Sequence, residues 1–454
     1  MSKTNNSSPK KPLASLKSTA KDKLAQKMLE KRLQRLQKPK NKPPQPRKAD
    51  SNIPEKWYRF DKYPGYEQIQ IIEKGGEQLN IPSPFFKTHE GVASNTTQIS
   101  GMTYVNFASY NYLDLCGHPK VNQAAQDAIS QYGTSASASR AVAGERPIQG
   151  ALECKLANLY GTEDAIVFVS GHATNVTTIG YLFEPNDLIL HDALIHNSAL
   201  QGILLSGAKR IPFEHNDWQH LDSLLQEHRH DFERVLIIIE GIYSMDGDYP
   251  DLPEFIRIKH QHKAFLMVDE AHSLGVMGKT GKGLHEHFDI DPTEVDIWMG
   301  TLSKTLASCG GYIAGEKALI KHLKYSAPGF LYSVGISPPI AAASLAALQI
   351  MLDEPERVQQ LHARGKQFLT LAKQYGIDTG DSSGYSVIPT ITGSSANAAR
   401  LANTCFEQGI NVQPIFYPAV AEGMARLRFF ICSSHTPKQI TQTVEILHQE
   451  ISKL

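Results

Sequence analysis

Cysteine is scarce: five in 454 residues, Cys116, Cys154, Cys309, Cys405 and Cys432. They are scattered, odd in number, and form no CxxC pair. That argues against a disulfide framework or a zinc knuckle and favours a reducing compartment. No apolar run reaches the ~18 residues of a membrane span, so none is expected. The N-terminal stretch lacks the apolar core of a secretory signal, and a cytoplasmic setting is expected. Net charge is also missing, since 46 Lys/Arg balance 46 Asp/Glu. The balance conceals an asymmetry. Residues 1–48 hold 15 Lys/Arg against 2 Asp/Glu, a net of +13, so the remainder carries −13. A basic arm precedes an acidic body.

The arm, residues 1–50, contains the Pro-rich "KNKPPQPRK", which should be extended. Leu13, Leu16, Leu24, Met28 and Leu36 recur at roughly helical spacing. A marginal amphipathic helix and a disordered solubilising tail both fit. Residues 51–103 form an N-terminal segment. From residue 104 to 336, short apolar runs alternate with helical stretches. "DAIVFV" (164–169), "DLILHD" (187–192), "VLIIIEG" (235–241), "AFLMVDE" (264–270), "VDIWMG" (295–300) and "GGYIAG" (310–315) read as buried strands. Buried strands separated by helices indicate a mainly parallel α/β sheet. Residues 337–454 change rhythm: long helical stretches, then "YSVIPTIT", a helix, "INVQPI" and "RLRFFIC". That pattern reads as a smaller α+β domain.

Ligands of such sheets bind beyond the carboxyl ends of the strands. Asp269 ends "FLMVDEAH" there, "EGIYSMDGD" leaves through Ser244, and "VSGHATN" leaves through Gly171 and His172. "HDALIHNS" puts His196 past a strand, and "MGTLSK" puts Thr301, Ser303 and Lys304 past another. A lysine amine can form a Schiff base with an aldehyde cofactor. Pyridoxal phosphate needs such a lysine, a carboxylate at its ring nitrogen, and helix N-termini or hydroxyls for its phosphate. Lys304, Asp269 and the turn after "VSG" could meet these needs.

Singly, each residue has a plainer reading. A strand-end aspartate is often a cap, a lone histidine is often structural, and Arg428 could be a paired strand residue. "VDEAH" with "GKT" (278–280) suggests nucleotide hydrolysis, but Ser273 stands where a phosphate loop needs its first glycine. "HEH" (285–287) reads as a solvated loop rather than a metal site.

Taken in order, the blocks "NFASYNYLDLCGHP", "YGTSASASRAVAGERPIQGALE", "VSGHATN", "HNSALQG", "EGIYSMDGD", "VDEAHSLGV", "TLSKTLASCGG" and "ARLRFFICSSHT" are highly specific. Over residues 57–452 the chain resembles the α-oxoamine synthases, pyridoxal-phosphate enzymes of the fold type I aminotransferase class. "SGHATN", "LYSVGISPP" and "GINVQPIFYPAV" are most similar to members associated with polyketide and fatty-acyl pathways.

The resemblance implies a seven-stranded, mainly parallel large domain with a smaller C-terminal α+β domain. It implies decarboxylative condensation of an amino acid with an acyl thioester, on coenzyme A or an acyl carrier protein, to give an α-aminoketone. Lys304 would bind pyridoxal 5'-phosphate covalently and move protons. Asp269 would pair with the ring nitrogen, His196 would stack on the ring, and His272 and Ser244 would lie near its phenolic oxygen. Gly171 and His172 would flank it, and Thr301 and Ser303 would hold the phosphate. Arg428, before Arg426, would grip the substrate carboxylate, with Asn111 a further polar group. A homodimer with interfacial sites is implied. Two departures stand out. Gly144-Glu145 replaces a Gly-Thr, and Gly335 occupies the place of a threonine that reaches the second subunit's phosphate, leaving Ser333 or Ser337 as substitutes. The basic arm suggests an acidic partner, for which an acyl carrier protein suits better than nucleic acid or membrane. Two alternatives stay open: another fold type I enzyme, aminotransferase or aldolase-like, and a non-catalytic partner subunit. Such subunits lack the lysine, which is present here.

Overall fold

The computed structural model describes residues 53–78, 81–417, 419–421 and 423–453. The basic arm, and the helical spacing read in it, lie outside these residues. The chain divides into two units, Met1–Glu73 and Lys74–Leu454. Among the described residues of the first, single turns at Glu55–Trp57 and Phe60–Lys62 lead into the helix Pro64–Gln78. Trp57, Tyr58, Phe60 and Tyr63 are exposed.

A hairpin of β1 (Thr96–Ile99) and β2 (Met102–Asn106) opens the second unit. Its central sheet is built from β3 (Asp164–Phe168), β4 (Leu188–Asp192), β5 (Lys209–Phe213), β6 (Val235–Glu240), β7 (Phe265–Asp269), β8 (Ile297–Thr301) and β9 (Gly311–Gly315). The spatial order is β3-β9-β8-β7-β6-β4-β5. β9 runs antiparallel to both neighbours, and the other pairings are parallel. Both faces are covered, which explains the unbroken apolar runs. On β6, Val235, Ile237 and Ile239 enter one core, while Leu236 and Ile238 enter another. Alternate side chains of a strand point to opposite faces.

β5 is the strand missing from the six read in the sequence. It pairs with β4 alone, is mostly exposed, and carries Lys209, Arg210 and Pro212. Charge and proline are what an edge strand tolerates, and they erase the apolar signal. "HEH" also differs from its reading. It lies in a short helix, Leu284–Phe288, with His285 buried against Tyr160 and Trp298.

Helices Pro338–Asp353 and Glu356–Gln374 lead to the smaller C-terminal domain. There β10 (Val387–Gly393), helix Ser395–Glu407, β11 (Ile410–Asn411), β12 (Gln413–Ile415), β13 (Ala425–Phe430) and helix Pro437–Ile451 follow in turn. β10, β13 and β12 form an antiparallel sheet. β11 instead pairs in parallel with β2. Phe107, just after β2, meets Phe429 edge-on at 5.4 Å and stacks on His435 at 4.4 Å. The parallel strands β4, β6, β7 and β8 all end on one edge of the central sheet, so the loops after them converge there.

Candidate active site

The lysine loop is built from small residues because the chain must reverse between β8 and β9. Leu302 N and the Thr301 hydroxyl both donate to the Gly310 carbonyl, at 2.9 and 3.0 Å. Ala307 N donates to Lys304 O at 3.0 Å, and Ala307 adopts φ +52°. Thr305 Oγ1 donates to Leu274 O at 2.7 Å, which ties the loop to the segment after β7. Lys304 therefore leaves a braced turn, and its amine lies 5.6 Å from the Tyr110 ring centre. Burial lowers that amine to about 8, although Asp269 and Glu240 pull the other way.

Asp269 ends β7 in the buried interior. Its Oδ1 accepts from Ala271 N at 3.0 Å and its Oδ2 from Asn175 Nδ2 at 2.8 Å. Glu240 stands in register with it on β6. Burial, and then Asp269, raise the Glu240 carboxyl well above the usual carboxylate range. The shift favours the neutral acid, which relieves the repulsion between two adjacent buried carboxylates. Its Oε1 accepts from His196 N.

His196 caps the helix Asn197–Ser206, with Nδ1 accepting from Ser198 N at 3.2 Å. Burial lowers its pKa, and Lys304, His172 and Arg428 add to the effect. His272 is buried, and Nδ1 meets the Tyr112 hydroxyl at 2.7 Å. Burial, then the Lys304 and Arg428 charges, push it well below the usual histidine range. Both shifts favour the neutral imidazole.

Gly171 opens the helix Gly171–Leu182 after the cap Ser170, and His172 beside it is exposed. A Cβ on Gly171 would lie 2.9 Å from Thr301 Oγ1. A Cβ on Gly311 would lie 2.7 Å from Gly171 Cα. Only glycines let this helix N-terminus and Thr301 share one cradle. Ser303 is exposed beside it and accepts weakly from Gly310 N, at 3.4 Å. Backbone N–H groups at a helix start suit a phosphate.

The two arginines of β13 differ. Arg426 Nη1 is ion-paired with Asp246 at 2.5 Å and also donates to Met245 O. Arg428 Nη1 donates to Ser244 O at 3.0 Å, and its guanidinium lies 4.6 Å from the Phe430 ring centre. It has no carboxylate partner among the described residues, and its buried Nε has no hydrogen-bond partner. Burial lowers its pKa, yet a guanidinium stays charged. Asn111 is committed elsewhere. Its Oδ1 accepts from Leu115 N and Cys116 N, and its Nδ2 donates to Ala93 O.

The two departures acquire physical reasons. Glu145 pairs with Arg140 at 2.6 Å, and Arg140 also binds the buried Glu153. A Cβ on Gly335 would come within 2.8 Å of Arg140 Cγ, so the arginine occupies the space a threonine would need. Ser333 is exposed, and Ser337 caps the helix Pro338–Asp353 without a side-chain bond.

Sequence reading missed Asn175, Glu240, Tyr110 and Tyr112. Asn175 had a signal, since it lies one helical turn from Gly171 within the quoted "VSGHATN". The assembled set fits pyridoxal phosphate on its own chemistry. An amine of lowered pKa, a fixed carboxylate and a glycine-lined helix start meet its three demands.

The sequence model described as "Aminotransferase class I and II" matches residues 102–447. The chain is 36% identical to the 8-amino-7-oxononanoate synthase of Treponema denticola, over 83% of this chain and 96% of that one. It is 35% identical to the enzyme of that name from Bacillus pumilus, over 86% and 97%. The serine palmitoyltransferase of Sphingomonas wittichii superposes with a TM-score of 0.81 at 26% identity, covering 85% of this chain and 97% of that one. Fold, site and likeness agree: this chain belongs to the class I and II aminotransferases and, within them, to the α-oxoamine synthases, which work with pyridoxal 5'-phosphate.

Proposed function

We infer that the protein condenses an amino acid with an acyl thioester, releasing carbon dioxide and an α-aminoketone. Lys304 holds the cofactor's aldehyde and moves the proton at the amino-acid Cα. Asp269 keeps the ring nitrogen protonated. His196 would lie against the ring, and His272 and Ser244 would serve its phenolic oxygen. The helix start at Gly171, with His172, Thr301 and Ser303, holds the phosphate. When bound, the cofactor supplies an electron sink for the carbanion at Cα.

The unpaired Arg428 guanidinium carries this reading. A partly buried cation without a counter-ion is costly, and a bidentate carboxylate offsets the cost. Arg426, already satisfied by Asp246, has no such need. Arg428→Ala is expected to weaken amino-acid binding by ~2–4 kcal/mol, the cost of removing one partner of a buried charge pair. Titration of the cofactor absorbance with amino acids measures it. An unchanged affinity refutes the carboxylate role.

The acyl donor is a carrier-bound or coenzyme A thioester, and a homodimer is the working assembly. The +13 arm supports a carrier-bound donor, since acyl carrier proteins are acidic and long-range attraction to the arm speeds docking. Removing residues 1–50 is expected to leave turnover with small thioesters intact. It should raise KM for a carrier-bound donor, and the difference should fade at high salt. Equal KM values at low salt rule out docking by the arm.

A further inference from the structure

Four polar side chains form one continuous chain beneath the site. Asn175 Nδ2 donates to Asp269 Oδ2 at 2.8 Å and to Ser198 Oγ at 2.9 Å. Ser198 Oγ lies 2.7 Å from His196 Nδ1. The chain joins the carboxylate assigned to the ring nitrogen with the imidazole assigned to the ring face. Asn175 and Ser198 are both almost wholly buried.

The directions of these bonds follow from what each atom can do. The Asn175 amide must present nitrogen to Asp269, because oxygen there would face a carboxylate oxygen. It keeps that orientation although its Oδ1 is buried without a hydrogen-bond partner. Ser198 Oγ accepts from that nitrogen and has its own proton left to give to His196 Nδ1. The backbone N–H of Ser198 can only donate, and it also faces His196 Nδ1, at 3.2 Å. Two donors converge on Nδ1. A neutral His196 therefore carries its proton on Nε2.

We propose that Asn175 and Ser198 are positioning residues: they couple Asp269 to His196 and hold the His196 ring as its Nε2–H tautomer, a hydrogen-bond donor toward the substrate. The lowered pKa of His196 is consistent with this, because an imidazolium would turn an Nδ1–H against the Ser198 N–H. The charged or titratable groups acting on His196 are Asp269, Lys304, His172 and Arg428, and Glu240 holds its backbone N–H. The proposal rests on the cofactor-site reading, but its test observes the His196 ring itself.

The test is a nitrogen NMR titration of full-length holoenzyme labelled in histidine, on wild type, Ser198→Ala, Asn175→Asp and the double variant. His196→Asn assigns the signal. In wild type, Nε2 should carry the proton over the whole neutral range. Ser198→Ala removes one donor, so protonated Nδ1 becomes visible and the His196 pKa rises by ~0.5–1 unit, the size of one neutral hydrogen bond. Asn175→Asp is isosteric and offers at most one donor where two are needed. It should shift the same signal although residue 175 does not touch His196. In the Ser198→Ala background that second shift should shrink to the direct effect of the new carboxyl, because the hydrogen-bonded link has already been cut. Thermal melting of each variant, and its cofactor absorbance, report whether fold and site persist. The Ser198→Thr variant keeps the hydroxyl and should restore the wild-type tautomer. The proposal is overturned if wild-type His196 carries its proton on Nδ1. It is also overturned if Asn175→Asp shifts the signal equally in both backgrounds.

Discussion

Lys304→Ala is expected to abolish turnover, and borohydride-treated wild-type protein is expected to yield a cofactor-labelled peptide containing Lys304. This is the largest effect expected of any single substitution. The site supplies one amine whose pKa burial has brought to about 8, and the bonds to Gly310 and Leu274 fix the turn that carries it. A neutral amine is the form that attacks an aldehyde. The substitution should not unfold the protein. A lowered lysine pKa means that the folded state binds the proton less tightly than the unfolded chain. This lysine therefore opposes folding below about pH 8, an opposition that disappears as pH rises past the unfolded value near 10.5. Compared without cofactor, the alanine variant should melt no lower than wild type near pH 7. A label recovered on any other lysine would falsify the assignment.

Asp269→Asn is expected to lower kcat by ~10²-fold or more, the scale for removing one preorganised electrostatic partner. The amide can still meet Asn175 Nδ2 through its oxygen, at the cost of the bond from Ala271 N, which then faces the new amide nitrogen. It then turns an N–H, not a lone pair, toward the ring nitrogen, and cannot keep that nitrogen protonated. Cofactor attachment at Lys304 should persist, so bound absorbance remains while turnover falls. Asp269 is the last residue of β7, in register with Glu240 on β6 and Met299 on β8. Its placement is set by the sheet, not by a mobile loop. An asparagine variant with wild-type kcat would remove Asp269 from the ring nitrogen.

The sheet was legible because β4, β6, β7, β8 and β9 are buried on both faces and read as unbroken apolar runs. β5 was not, because an edge strand with Lys209, Arg210 and Pro212 has no such run. The site was legible where a strand end coincides with a chemically reactive side chain, as at Asp269 and Lys304. It was illegible where a residue acts through its neighbours. The resemblance ranks Arg428 before Arg426, but the physical ground for the ranking is the position of Asp246, which no sequence pattern gives. Nothing in "ASYNYL" says that Asn111 braces a turn while Tyr112 meets His272. Glu240 reads as the end of an apolar strand, and its neighbour across the sheet is far away in sequence.

The pairing of β2 with β11 has a consequence for how the molecule comes into being. Asn106 and Asn411, joined by a hydrogen bond at 3.0 Å, are 305 residues apart in the chain. A ribosome adds ~5–20 residues each second, so β2 waits roughly 15–60 s for its partner to emerge. All strands of the central sheet are made in that interval and can settle first. Meanwhile the β2 edge of the hairpin stays open, and Phe107 lacks Phe429 and His435. An open edge beside an uncovered aromatic ring is what folding helpers bind and what aggregation recruits. The first strands to leave the ribosome are thus among the last to be completed, and the yield of active protein depends on their surviving the wait.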